Sequence, residues 1–410
     1  MTAKLRMADR FGRIKALATI ATVPAATLLL GGTAAGPERQ VYVLSNVYVA
    51  AYPDDSACPK LSLSAEQIFL QSLPAADRER LADPANERES EKRMKETYGF
   101  KGGPTGKKPG PSGAAPDYTR AELDGYRKSF KIPPGKGKPA YLGLSFQYNL
   151  CTDPDDFPQF AVGNEPYLGR TTFGINLDGE VGKDDFLSPE GEPGVDNALI
   201  RATGCNRTTR DYGDPKIADN VITSMASPPI MEISGVDDAA NDSDVTVRFY
   251  ASANALELDS GGKPLAFATF DIDSDPRFQS ETKGRIENGV LTTEPFDLRF
   301  RMREQIIDSV REIKGARLRF QYAVGGPISG GIYGYHTVDS LIDPYAQSGT
   351  VGINLMSCPA AIASIRSHAD GYPDPRTRRN TAISAALNFK GVPAFTAWPR
   401  GAGSAADKGI

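Results

Sequence analysis

Apolar side chains alternate with polar or small ones along several stretches of the chain. Leu142, Leu144, Phe146, Tyr148 and Leu150 do so, as do Val245, Val247 and Phe249. Phe296, Leu298, Phe300 and Met302 repeat the pattern, and so do Leu318, Phe320, Tyr322 and Val324. A period of two places one side-chain set on a buried face and the other in water. The β-branched and aromatic run at 41–52 predicts a further strand, as do 264–272 and the segment around Ile230. Gly, Asp and Asn turns separate these runs. The prediction is a mainly β chain: an antiparallel β-sandwich core with short helices and a helical or flexible N-terminal region.

Helical signals are fewer. Ser64 with Gln67 makes a capping-box pattern ahead of AEQIFLQSL, which Pro74 ends. Residues 85–97 are charged on nearly every side, which predicts a solvated helix. Two more helices are expected near 197–203 and 303–313.

Composition adds an address. Lys4, Arg6, Arg10, Arg13 and Lys15 stand against one acid, Asp9, ahead of an uncharged apolar run from 16 to 30 and the small residues GGTAAG. That order is a secretory signal peptide, with cleavage expected after Ala34 or Ala35 and Met7 as an alternative start. The run is shorter than the ~20 residues a spanning helix needs, and Pro24 interrupts it. The expected layout is a signal peptide at 1–35, a strand and helical segment at 36–100, a linker at 101–140, the β core at 141–398 and a disordered tail at 399–410. The linker holds eight Gly, seven Pro and nine Lys or Arg against three acids. Its cations are not interleaved with stacking aromatics, so a solubilising spacer is favoured over a basic arm touching an acidic polymer such as an anionic envelope component; no nucleic-acid partner is expected. The expected site of action is secreted or periplasmic, with no transmembrane segment after signal removal.

Export changes how the four cysteines read. Cys58, Cys151, Cys205 and Cys358 are an even set in an oxidising compartment, which predicts two disulfides with three possible connectivities.

Acidic loops carry the candidate chemistry. Asn176, Asp178, Glu180, Asp184, Asp185 and Asp196 crowd oxygen ligands onto glycine-rich backbone, the donor type that suits Ca²⁺. DIDSDPRF offers Asp271, Asp273 and Asp275 as a second calcium loop. Neither is an EF-hand: the sixth positions are Val181 and Pro276, not Gly. A third acidic patch runs from Asp237 to Asp244.

Catalytic signals are weaker. Two histidines in 410 residues, His336 and His368, exclude a multi-histidine metal site. There is no c-type haem motif, no P-loop and no G-x-S-x-G elbow. Aromatics at GGIYGYHTV and AFTAW suit either core packing or a sugar-stacking face. The expectation is an exported, non-catalytic binding or structural protein with calcium-stabilised loops, partnered by carbohydrate or an envelope polymer. The rival is an extracellular carbohydrate-active hydrolase working through paired carboxylates.

Overall fold

The computed structural model describes residues 39–97 (except 53, 59 and 61–64), 165–206 with 209, 227–342 (except 305 and 306) and 358–398. The predicted signal peptide, linker, strand at 142–150 and tail, together with Cys151, lie outside the described residues.

The long strands, in chain order, are β1 (Arg39–Val49), β4 (Pro229–Ser234), β5 (Asp242–Ala251), β7 (Ser280–Glu287), β8 (Val290–Thr293), β9 (Phe296–Glu304), β10 (Ile307–Gln321), β11 (Ile328–Thr337) and β13 (Asn380–Ala397). Four short strands complete the set: β2 (Phe186–Leu187), β3 (Pro193–Val195), β6 (Ala268–Asp271) and β12 (Gly371–Pro373). The helices are α1 (Ala65–Ser72), α2 (Ala75–Ala82), α3 (Glu87–Thr97), α4 (Ala198–Thr203) and α5 (Cys358–His368). No helix among the described residues is long and apolar enough to cross a membrane.

The sheet runs β1-β4-β5-β7-β8-β10-β11-β13, and β13 pairs back onto β1. Every neighbour on this path is antiparallel. The architecture is therefore a closed eight-stranded up-and-down barrel, not the sandwich the alternation suggested. Alternation reports one buried face, and a barrel lumen supplies that face as well as a sandwich interface does. What decides between them is the pairing of the first long strand with the last, from Tyr42 opposite Pro393 to Val49 opposite Leu387. A bulge between Leu44 and Asn46 shifts the parity along β1, so Tyr42, Leu44 and Val47 all join the same interior cluster.

Met231, Ile233, Val247, Phe249, Leu291, Phe300, Leu318, Phe320, Ile332, Leu387 and Phe389 fill the lumen with those three. An eight-stranded barrel has room for side chains and little else, so the interior is a packed core. The outer wall is covered in patches. Leu256, Phe270 and Ile272 pack over Val43, Ile230 and Tyr250. Trp398 meets Tyr250 edge-on, with ring centroids 5.6 Å apart. Helices α4 and α5 pack on Ile383 and Ala385.

The expected helix near 303–313 is a second correction. These residues belong to β9 and β10, which pair from Glu304–Ile307 to Phe296–Ala316. The helix expected at 197–203 is α4, and Asn197 caps it by accepting the Ile200 N–H.

One disulfide joins Cys58 to Cys205. It lies in a small cluster with Tyr167, Phe186, Val195 and Ile200, beneath the acidic segment. Cys358 opens α5.

Candidate functional site

Barrel register builds one surface feature across six strands. Arg285 of β7 lies opposite Thr292 of β8, which lies opposite Arg319 of β10. Arg319 faces Gly331 of β11, Gly331 faces Asn388 of β13, and Asn388 faces Tyr48 of β1. Their neighbours in sequence (Leu291, Leu318, Phe320, Ile332, Leu387 and Phe389) belong to the interior, so this row points outward.

Gly331 leaves a gap in the row, and the Tyr333 ring lies across it; a Cβ at 331 would collide with that ring. The result is an aromatic plate with a guanidinium on one side and an amide on the other. The groove over it has a volume of about 680 Å³. Gln321, Ser329 and Lys390 extend its floor.

The opposite wall is the acidic segment. Ser188 Oγ accepts the N–H groups of Glu190 and Glu192 at 3.2 and 3.1 Å, which fixes the turn carrying those two side chains to the groove. Arg317 docks the segment onto the barrel by donating to the Leu177 and Asn176 carbonyls at 2.9 and 3.4 Å. Burial pushes the Tyr333 phenol up; Arg319 opposes this and Glu190 adds to it, so all three groups share one electrostatic neighbourhood. Arg319 itself makes no hydrogen bond or ion pair with another described residue.

The predicted calcium residues divide by how their oxygens are engaged. Asn176 Oδ1 accepts the Gly179 N–H, Asp178 Oδ1 the Glu180 N–H, and Asp185 Oδ2 the Gly182 N–H. Glu180 presents its carbonyl to Asn176 Nδ2, and Asp184 is exposed. Asp196 is buried at the base of the segment, where its Oδ2 accepts the Leu177 N–H at 2.6 Å. Burial pushes its carboxyl up to about 6; the Leu177 N–H works against this, and the charges of Asp178 and Asp185 add to it. At the second loop, Asp273 pairs with Arg301 at 2.6 Å and Asp275 with Arg277 at 2.6 Å. Asp271 accepts from Asn254 Nδ2. Among the described residues no three acidic, histidine or cysteine side chains converge as a metal cage. In the third patch, Asp242 accepts the N–H groups of Asp237, Asp238 and Asp244.

A second cavity, about 420 Å³, brings Asp185, Asp196 and Asp370 together with Arg201, His368 and Ser384. Asp370 stands where β1 has ended and β12 begins. Its two oxygens accept the Ser384 N–H and Oγ–H at 2.7 and 2.6 Å, replacing a missing ladder partner. His368 Nδ1 lies 2.9 Å from the Ser364 carbonyl oxygen. His336 points into the barrel, fully buried, and neither ring nitrogen is hydrogen-bonded to another of the described residues. Burial and the nearby Arg311 push it down to about 3, so it is neutral at physiological pH.

Of the groove residues only Tyr333, within the aromatics that suit either core packing or a sugar-stacking face, carries a binding signal in the sequence. Arg317 and Arg319 are legible as outward charges alternating with Leu318 and Phe320, and Tyr333 sits in the aromatic run GGIYGYHTV. Asn388 carries no such signal.

No protein-family model matches this chain, and neither a curated protein nor a solved structure matches it.

Proposed function

We propose that this chain is an exported, non-catalytic binding protein of the cell envelope or extracellular space, and that it holds a polysaccharide in the groove over β10, β11 and β13. One observation carries the reading: the cross-strand row in which the Tyr333 ring, laid over Gly331, is flanked by Arg319 and Asn388 beneath the Glu190–Glu192 turn. A sugar ring presents an apolar face to an aromatic plate and hydroxyls at its edge to planar donors and acceptors. Affinity electrophoresis through polysaccharide-loaded gels tests this. Retardation should fall roughly tenfold in Kd terms for Tyr333→Ala, a loss of about 1.4 kcal/mol, and also fall for Asn388→Ala. Absence of retardation in every polysaccharide, or retardation untouched by both substitutions, overturns the reading.

Calcium belongs to this proposal as a stabiliser of the acidic wall. Its support is the mutual repulsion of Asp178, Asp185 and Asp196, which a cation would relieve.

The hydrolase reading has one observation in its favour. Asp196, pushed up to about 6, is poised as a general acid in a cavity that it shares with Asp370. Release of reducing ends from a polysaccharide, abolished by Asp196→Asn, would establish it. In its absence the binding reading stands.

A further inference from the structure

We infer that the polysaccharide is acidic, and that Arg319 with Arg285 seats one of its carboxylates in a side cavity of the groove. This rests on the binding reading above and adds the chemical class of the ligand.

The side cavity, about 460 Å³, shares Ile175, Val290 and Arg319 with the groove. Three arginines (285, 317 and 319) line it against one carboxylate, Glu287. One of the three holds the acidic segment, one is paired only through its Nε, and one has no hydrogen-bond or ion-pair partner among the described residues. Arg317 holds the Leu177 and Asn176 carbonyls, and Arg285 pairs with Glu287 through Nε at 3.1 Å. The Arg319 fork is open to a ligand. Register places Arg285 and Arg319 on either side of Thr292. Two strand spacings separate their backbones, about 10 Å, so both side chains can reach an anion lying over Thr292, whose hydroxyl provides a third donor.

Like charges gathered in one cavity repel, and an incoming anion removes that cost. The chain as a whole carries a net charge of −4, and the far wall of the groove carries Glu190 and Glu192, so the excess of positive charge is local. A polymer with an acid group on each sugar can put a carboxylate on the guanidinium fork, which matches it in a planar, bidentate way, while its ring rests on Tyr333. A phosphate polymer can also accept the guanidinium fork in a bidentate way, but it has no sugar ring to rest on Tyr333.

The experiment compares three probes by affinity electrophoresis or calorimetry at low salt: polygalacturonate, the same polymer with its carboxylates methyl-esterified, and polyphosphate. Polygalacturonate should bind at least tenfold more tightly than its ester, and the advantage should shrink as salt rises. Arg319→Gln should erase the advantage, so that the variant binds polygalacturonate no more tightly than it binds the ester; Arg285→Gln should reduce it. Arg319 is exposed and without a protein partner among the described residues, so its variant is expected to fold, which a melting curve checks. Equal binding of acid and ester overturns the acidic assignment and leaves the polysaccharide reading intact. Binding of neither polymer counts against both. Polyphosphate binding as tightly as polygalacturonate, with the same loss in Arg319→Gln, would make this a general anion site and overturn the carboxylate assignment.

Discussion

The acidic segment at 176–196 and the acidic loop at 271–275 read alike along the chain, as crowded carboxylates on turning backbone. Folded, they are opposites. In 271–275 the charges meet arginines: Asp273 with Arg301, whose guanidinium also stacks on Phe278 at 4.3 Å, and Asp275 with Arg277. Arg277 holds the Asp275 carboxyl down to about 2. Burial opposes ionisation of Asp273, and the Asp275 N–H together with Arg301 outweighs it. In 176–196 the carboxylates meet backbone N–H groups and each other, and Asp196 is pushed up. The nearby guanidiniums of Arg317 and Arg201 serve carbonyls instead. One loop has two of its three carboxylates paired with arginines; the other retains unbalanced charge at the edge of a groove. Local acid density thus says little about a loop's electrostatics until its partners across the fold are known.

The largest test of this contrast is the tether beneath the acidic segment. Replacing both Cys58 and Cys205 by Ser should cost about 4 kcal/mol of stability by denaturant titration. Amide exchange should quicken first at Leu177 and Asp196, with the Asp275 N–H responding only to global unfolding. Equal quickening at both would mean the two regions open together.

Asp196→Asn comes next. A carboxyl raised in the folded state binds its proton more tightly there than in the unfolded chain. Its contribution is therefore fully favourable below the ordinary 3.8 and is lost as pH rises to about 6. The amide keeps an acceptor for the Leu177 N–H and removes the buried charge. The variant should be more stable than wild type by on the order of 2 kcal/mol at pH 8 and equal to it near pH 4. Asp273 and Asp275 have the reverse sign: their stabilisation is present above the ordinary value and fades as pH falls below it, for Asp275 toward about 2. Wild type should accordingly melt highest near pH 4, and an absence of any decline between pH 4 and 6 would refute the burial argument for Asp196.

Asp273→Ala strands Arg301, which keeps Ser227 Oγ and the Phe278 ring. The expected loss is about 1.5 kcal/mol, read by denaturant titration, with the acidic segment's exchange unchanged. The smallest effect is calcium. At free calcium ten times its Kd, binding to the folded state adds ~1.4 kcal/mol, seen as a raised melting temperature against chelator. Asp178→Asn with Asp184→Asn should remove it and Asp273→Ala should not. Identical melting in calcium and chelator would eliminate the ion.

Much of the strand content was legible. The predicted runs at 245–249 and 296–302 fall in β5 and β9; those at 41–52 and 318–324 overlap β1 and the end of β10 but overrun them, with Tyr322 and Val324 past the last residue of β10. The failures have physical causes. Ile306, Ile307, Val310 and Ile313 recur at three- to four-residue spacing, a helical signature, yet pairing with β9 and β11 prevails over that local preference. Three glycines weaken the strand signal of β11. Gly334 abuts Ile313 and Ala316 and Gly330 abuts Phe320, contacts that exist only across the seam with β10, while Gly331 carries the Tyr333 ring of its own strand. The alanine-rich start of β13 carries no strand signal of its own, and its neighbours β11 and β1 supply the order.

By itself, the sequence determined that the chain would be mainly β, where its acidic turns would lie and that its cysteines could pair, because alternation, turn chemistry and residue type act over a few neighbouring positions. Only the tertiary structure decided that the sheet closes on itself, that Cys58 meets Cys205, and that Arg285, Thr292, Arg319, Gly331 and Asn388 form one row. Those outcomes depend on register between strands remote in sequence, and register is set by how the interior side chains pack together, which no local stretch of the chain encodes.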